Sequence, residues 1–155
     1  MKIGIVVYSW SGNTLSVAGK LREHLIGAGH SVELLPITVA GTRERGARKF
    51  ELGPLPDLDS YEGVVFGGAV EAFSLTPVLS AYLEQMAPLA GKKVACLVTQ
   101  QFPYPWMGGS RAIRQMKKIC MRKGGTIVGA AVVNWAASRR EKTASAAIES
   151  LGRAF

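Results

Sequence analysis

Short apolar runs alternate along the chain with longer stretches in which apolar residues recur every three or four positions. The apolar runs predict five β-strands, at 2–8, 31–37, within 61–68, at 93–99 and at 126–133. The longer stretches predict four helices, at 14–28, 77–86, 110–123 and 138–154. Pro77 suits a first helical turn, and Gly29 and Gly124 suit helix ends. Ser138 and Glu141 match a capping box at the start of the last helix.

Strands that alternate with helices form a parallel sheet, because each helical crossover is right-handed and long enough to span the sheet. We therefore predict one α/β domain over residues 1–155, a doubly wound five-stranded parallel sheet of order 2-1-3-4-5 with helices on both faces. The first strand is continuously apolar and should be central, whereas the second is polar enough for an edge. Residues 38–60 show no helical period and predict a long loop with at most one short helix.

The junction between the first strand and the first helix has the composition of an anion site. It consists of Tyr8, Ser9, Trp10, Ser11, Gly12, Asn13 and Thr14. Hydroxyls, an amide side chain and a glycine surround a helix N-terminus, where free backbone N–H groups and the helix dipole favour a phosphate. The loop contains neither Lys nor Arg, so its own residues meet the phosphate with neutral donors alone.

Three other phosphate or metal sites do not fit this chain. A nucleoside triphosphatase loop needs G-x-x-x-x-G-K-[ST], but residues 41–46 are followed by Ala47 and Arg48. A dinucleotide fingerprint needs three glycines after the first strand and an acidic residue ending the second, which here ends at Ile37. A phospho-acceptor receiver needs clustered carboxylates after the first strand, where residues 8–10 are Tyr-Ser-Trp.

Residues 9–14 resemble the phosphate loop of the flavodoxin family, [ST]-x-[ST]-G-N-T, which is followed four positions later by an alanine, here Ala18. Val7 stands where that family usually carries an aromatic residue. The resemblance implies FMN as cofactor, with its phosphate in this loop. It spans nearly the whole chain, but only this loop is specific residue by residue.

The resemblance also implies that two further loops meet the flavin at the carboxyl edge of the sheet. In the loop at 68–77, Glu71 and Ala72 stand where many members carry an aromatic pair, so either Phe73 substitutes or that flavin face is open. In the loop at 99–109, aromatic residues alternate with prolines, and which ring stacks stays open. Besides residues 9–14, the expected cofactor contacts are Ala69, Val70, Glu71, Ala72, Phe73, Thr99, Gln100, Gln101, Phe102, Tyr104, Trp106 and Gly108.

The cysteines, histidines and net charge bear on where the protein works and on what it binds. Cys96 and Cys120 lie in an apolar run and a helical pattern, which predicts buried thiols in a reducing cytoplasm, and no stretch predicts a membrane span or a metal site. Neither His24 nor His30 is placed for catalysis, and we assign no catalytic residue. The net charge of +8 comes partly from two basic clusters. These are Arg111, Arg114, Lys118 and Arg122, with Lys117 and Lys123 beside them, and Arg43, Arg45, Arg48 and Lys49.

The leading functional hypothesis is an FMN-binding redox protein that transfers electrons between a reductant and a partner protein or small acceptor. The basic clusters favour a partner with an acidic surface or the phosphates of NAD(P)H. One alternative is an FMN-dependent NAD(P)H oxidoreductase acting on quinones or similar acceptors, a group that is usually oligomeric, so a homodimer belongs to this alternative. The other is a non-flavin interaction module on the same fold, although no motif indicates specific nucleic-acid binding.

Overall fold

The computed structural model describes residues 1–102, 104, 106–136 and 138–155, so the prolines at 103 and 105 in the aromatic loop lie outside the described residues. The elements in chain order are β1 Lys2–Val7, α1 Asn13–Gly27, β2 Ser31–Pro36, β3 Gly63–Glu71, β4 Ser74–Leu75, α2 Pro77–Gln85, β5 Lys93–Gln100, α3 Gly109–Arg122, β6 Thr126–Asn134 and α4 Arg140–Gly152. No helix among the described residues is both long and apolar enough to cross a bilayer.

The sheet confirms the predicted doubly wound topology. Its order is β2-β1-β3-β5-β6, with every neighbouring pair parallel, and β4 is a short extra strand that pairs only with β3. β1 is central: Ile5 faces Leu34 of β2 on one side and Val65 of β3 on the other. The continuous apolar run of β1 is therefore buried on both faces, as expected for a central parallel strand.

Two apolar layers cover the two faces of the sheet. Successive strand residues point to opposite faces, so Ile5 joins the layer with α1 and α4, whereas Val6 joins the layer with α2 and α3. In α1, Val17, Leu21 and Leu25 recur at spacing four and are all buried. The local periodicity of the sequence thus decides which face of each element enters the core.

The start of the last helix differs from the prediction. α4 begins at Arg140 rather than at residue 138, and its N-terminus has no side-chain cap, so the predicted capping box is wrong. Asn134, at the end of β6, instead holds the segment that leads into α4. Its Oδ1 accepts the N–H of Ala136 at 2.9 Å, and its own N–H donates to Thr143 Oγ1 at 3.0 Å. A tertiary contact between strand and helix replaces the local cap.

Residues 37–62 form a long loop, as predicted, without the short helix that the prediction allowed. The loop folds back on itself through an antiparallel bridge between Val39 and Leu52. Ile37 and Leu58 are buried in the layer that contains α2. The segment is therefore packed against the sheet.

The predicted loop at 68–77 is wrong in its first half, because β3 continues to Glu71 and turns back through a hairpin into β4. The two residues of the turn, Ala72 and Phe73, have φ of 50° and 61°. Positive φ at both central residues is the geometry of a type I′ turn, which favours Asn and Gly. This backbone conformation is energetically unfavourable for alanine and phenylalanine, so the turn is strained. It lies at the edge of the sheet where a ligand would bind.

This strain gives a first expected result. Ala72→Asn should stabilise the fold by about 0.5–1 kcal/mol, because asparagine adopts positive φ more readily than alanine. Ala81→Asn, in the middle of α2, is the matched control and should destabilise by about 0.5 kcal/mol, since asparagine is a poorer helix former. Urea denaturation of both variants measures the two effects. Equal destabilisation by the two substitutions would refute the strained turn.

Candidate functional site

Residues 9–15 form a cradle of free backbone donors at the carboxyl end of β1. Gly12 has φ of 90°, and the first bond of α1 runs from the N–H of Ser16 to the carbonyl of Gly12 at 2.9 Å. The N–H of Asn13 lies 3.5 Å from Ser11 Oγ. Within the described part of the chain, the other N–H groups of this stretch donate to no protein acceptor. Free donors at a helix N-terminus form a site for an anion.

Two hydroxyls of the cradle have opposite roles. Ser9 Oγ is buried and has no hydrogen-bond partner among the described residues, which is unusual for a native polar atom and suits a ligand contact. Thr14 Oγ1 lies 2.7 Å from Thr99 Oγ1 inside the protein. The Thr14 hydroxyl therefore ties the cradle to the end of β5.

Trp10 joins the cradle to the long loop. Its indole Nε1 donates to the carbonyl of Arg43 at 3.0 Å, while 52% of the residue stays exposed. The indole thus holds the neighbouring segment in place next to the cradle.

Glu71 is buried in an ion pair that the sequence did not reveal. Arg43 Nη2 lies 2.7 Å from Glu71 Oε1, and the two side chains are only 1% and 5% exposed. Tyr8 Oη accepts Arg43 Nη1 at 3.2 Å, and the N–H of Gly46 donates to Glu71 Oε1 at 2.8 Å. Burial alone would raise the pKa of Glu71, but the hydrogen bonds from Arg43 and Gly46 outweigh it and hold that pKa below its usual range.

This ion pair involves two residues that the sequence analysis singled out. Glu71 was expected to contact the cofactor; its carboxylate binds Arg43 and Gly46, and the residue also lines the aromatic pocket described below. Arg43 was assigned to an exposed basic cluster, yet only 8% of it is exposed, whereas Arg45, Arg48 and Lys49 are exposed as predicted. Charge patterning along the chain does not tell a buried cation from a solvated one, because the partner is distant in sequence.

The aromatic residues separate into two pairs. Phe73 of the hairpin stacks on Phe102 with ring centroids 5.2 Å apart and planes 10° from parallel. The two phenyl rings line a pocket of about 280 Å³ together with Arg45, Val70 and Gln101. Tyr104 and Trp106 stack on each other instead, at 5.6 Å. In the loop at 99–109, Phe102 is therefore the aromatic residue that contacts the hairpin, whereas Tyr104 and Trp106 contact each other.

Gln100 and Gly108 hold that loop in place. Gln100 Oε1 accepts the N–H of Gly109 at 2.8 Å, and its Nε2 donates to the carbonyls of Phe102 and Tyr104. Its side chain thus holds the aromatic loop, and the expected contact of Gln100 with the cofactor stays a prediction. Gly108 lies close to the hairpin: a Cβ built there would lie 3.1 Å from Phe73 Cα, and its expected approach to the ligand likewise stays a prediction.

A narrow recess connects the cradle with the aromatic pocket. It is lined by Ser11, Asn13, Arg45, Ala69, Val70, Thr99, Gln100 and Gln101. Three of these residues, Arg45, Val70 and Gln101, also line the aromatic pocket. Most of the expected cofactor contacts thus line the recess or the aromatic pocket. Arg45 of the long loop lines both; the sequence marked it only as a member of a basic cluster, not as a neighbour of the cradle.

The two histidines and the two cysteines line neither the recess nor the aromatic pocket. His30 Nδ1 is 3.1 Å from the amino group of Met1, at the edge of the sheet opposite the cradle, and His24 packs beside Gly152. Cys96 and Cys120 are free and buried, as predicted. The neighbouring Cys96 thiol, together with burial, raises the pKa of the Cys120 thiol, so it is poorly reactive.

The predicted basic stripe on α3 is partly used for packing. Arg111, Arg114 and Lys118 are exposed. Arg122 pairs with Glu84, and Lys123 Nζ donates to the carbonyls of Glu84 and Met86 at the C-terminal end of α2. Within the described part of the chain, Arg111, Arg114 and Lys118 form no ion pair, and Arg111 and Arg114 lie in the half of α3 that follows the aromatic loop.

Fold and site together define a doubly wound α/β protein with an anion cradle at its topological switch point. No protein-family model matches the chain, and no curated protein matches it in sequence. Solved structures do match. Oxidised flavodoxin 2 from Bacillus cereus is 23% identical over 100% of both chains, with a TM-score of 0.70.

Two further structures have the same architecture. The two-electron reduced flavodoxin from Megasphaera elsdenii is 21% identical and matches over 96% of this chain and 99% of that chain, with a TM-score of 0.64. A flavoprotein from Lactobacillus acidophilus, solved in complex with FMN, is 17% identical and matches over 84% of this chain and 92% of that chain, with a TM-score of 0.63. The chain therefore has the flavodoxin-like fold.

Proposed function

We propose that this protein binds FMN and transfers electrons between a reductant and a partner protein or small acceptor. The observation that carries the proposal is the cradle: at the N-terminus of α1, a row of N–H groups and the Ser9 hydroxyl have no hydrogen-bond partner among the described residues. This cradle suits a phosphate monoester, and residues 9–14 match the flavodoxin phosphate loop. The flavodoxin-like fold of the chain supports the same ligand.

The flavin ring would occupy the aromatic pocket between Phe73 and Phe102. A ring inserted there, with about 3.5 Å on each face, needs their planes to lie about 7 Å apart, so the two phenyl rings, whose centroids are now 5.2 Å apart, have to separate. Both residues are about half exposed, at 53% and 42%, so neither ring is locked in the core. Phe73 thus takes the place of the aromatic pair that the sequence lacks at residues 71 and 72.

The side chains of this site bind and orient the cofactor. When bound, FMN itself supplies the hydride or single-electron chemistry. The cradle fixes the phosphate, Phe73 and Phe102 cover the ring, and Gln100 holds the aromatic loop through three hydrogen bonds. No acid or base is assigned to the chain. The free thiols agree with the expected cytoplasmic location.

A second function, an FMN-dependent NAD(P)H oxidoreductase acting on quinones, is favoured by a larger cavity beside the hairpin. This cavity measures about 440 Å³ and shares Gly46, Glu71 and Ala72 with the aromatic pocket. It offers space for a second small substrate next to the proposed flavin. For electron transfer, the exposed cations at the start of α3 suit a partner with an acidic surface or the phosphates of NAD(P)H.

The first experiment is the visible absorption spectrum after incubation with excess FMN and removal of the unbound fraction. We expect flavin bands at about one FMN per chain. NAD(P)H oxidation with a quinone as acceptor then separates the oxidoreductase from the carrier. Absence of flavin bands would refute the proposal and favour the non-flavin interaction module.

A matched pair of glycines tests the site of binding. Gly12→Ala should weaken FMN binding by about tenfold or more, because Gly12 has φ of 90° within the cradle and the cradle must keep its shape. Gly29→Ala, with φ of 95° at the other end of the same helix, carries a similar conformational cost and should leave FMN affinity unchanged. Fluorescence titration measures both affinities. An equal loss in the two variants would place the flavin elsewhere.

A further inference from the structure

One buried carboxylate binds a residue on each side of Arg45 in the chain. Glu71 Oε1 binds the guanidinium of Arg43 at 2.7 Å and the N–H of Gly46 at 2.8 Å. Trp10 Nε1 holds the carbonyl of Arg43 at 3.0 Å from the cradle side. The long loop is therefore pinned where it passes the cradle, and Arg45 lies between the pinned positions.

The side chain of Arg45 is exposed and lies at the rim of the site. It lines the narrow recess together with Ser11 and Asn13 of the cradle, and it also lines the aromatic pocket. Among the described residues, no carboxylate forms an ion pair with it. A positive charge without an internal partner is thus held beside a row of free N–H donors.

We propose that Arg45 binds the phosphate group of the ligand held in the cradle, so that the phosphate is met by a cation as well as by neutral donors. This inference rests on the proposed function of the same cradle. A guanidinium gives charge-assisted, bidentate hydrogen bonds to phosphate oxygens, which neutral N–H groups and hydroxyls do not supply. The Arg43–Glu71 pair acts as the positioning device that brings Arg45 from a distant part of the sequence to the phosphate.

Riboflavin, which lacks the phosphate, provides the comparison. Arg45→Met should weaken FMN binding by about tenfold, reduce its dependence on salt, and leave riboflavin binding unchanged, because only the phosphate contact is lost. Arg45→Lys should restore part of the FMN affinity. Arg48→Met is the matched control, since Arg48 is an exposed cation of the same loop that lines the larger cavity and not the recess.

Fluorescence titration of each variant with both flavins gives the answer. Equal FMN affinity in Arg45→Met and the unmodified protein, or an equal fall for FMN and riboflavin, would overturn the inference. A fall in Arg48→Met as large as in Arg45→Met would also overturn it, because general positive charge would then explain the effect.

Binding of inorganic phosphate tests the role of Arg45 independently of whether the protein binds FMN. Its binding can be followed by the NMR shifts of the cradle amides at 11–15, with and without Arg45→Met. If neither flavin binds but Arg45→Met weakens phosphate binding, the proposed function fails and the role of Arg45 stands. Phosphate binding of equal strength in both proteins would refute the role of Arg45 whatever the flavin result.

Discussion

Replacing Glu71 with alanine is expected to destabilise the fold by about 3–5 kcal/mol, because it leaves the Arg43 guanidinium buried without a counter-charge. The guanidinium side chain is only 1% exposed, so water cannot replace the carboxylate without rearrangement. The N–H of Gly46 loses its acceptor at the same time. Urea denaturation followed by circular dichroism measures the loss.

The matched control is Glu84→Ala, which breaks the pair with Arg122. These two side chains are 51% and 54% exposed, and exposed pairs contribute about 0–1 kcal/mol. The double variant Arg43→Met with Glu71→Leu should recover much of the lost stability, since it leaves no unpaired buried charge. Similar losses in Glu71→Ala and Glu84→Ala would contradict the buried pair.

The same pair predicts a dependence on pH. The pKa of Glu71 is held below its ordinary value in the folded protein, so the folded state favours the ionised carboxylate. Its contribution is fully present above the unfolded pKa of about 4.3 and is lost as pH falls through the lower folded pKa. The stability difference between the unmodified protein and Glu71→Gln should therefore shrink with acidification below about pH 4.3.

Gly108→Ala is expected to destabilise the fold by about 2–4 kcal/mol, combining an unfavourable φ with overpacking. Gly108 has φ of 119°, and a Cβ there would lie 2.7 Å from Val70 Cγ1 and 3.1 Å from Phe73 Cα. The first contact is a clash with a side chain, and the second is a tight contact with the backbone of the hairpin, which a side-chain rotation cannot relieve. We also expect weaker flavin binding, because the hairpin with Phe73 must move away from the aromatic loop with Phe102.

Gly124→Ala separates the two contributions. Gly124, just after α3, has φ of 90°, but a Cβ there would meet its nearest neighbours in Ala90 at 3.6 Å, an ordinary contact. It should cost about 1–2 kcal/mol in stability from φ alone and leave flavin affinity unchanged. Thermal unfolding and FMN titration of both variants provide the comparison. Equal stability and equal affinity in the two variants would exclude the close approach at Gly108.

Local patterns predicted the fold well, because the periodicity of each segment fixes which of its faces can be buried. The strand order and the buried face of α1 follow from such patterns, and the phosphate loop is a local motif read directly from residues 9–14. The predictions failed where a distant contact replaced a local one. Asn134 and Thr143 took the place of the expected cap of α4, and β3 extended through Glu71 into a strained hairpin.

The sequence by itself predicted the doubly wound sheet and the position of the cradle between β1 and α1, because both depend on neighbours along the chain. Only the tertiary structure decided that Arg43 and Glu71 form a buried pair, that Phe102 joins Phe73, and that Arg45 lies beside the cradle. These contacts join residues that are tens of positions apart in the chain. Their formation depends on how the loops pack at the edge of the sheet, which no local pattern encodes.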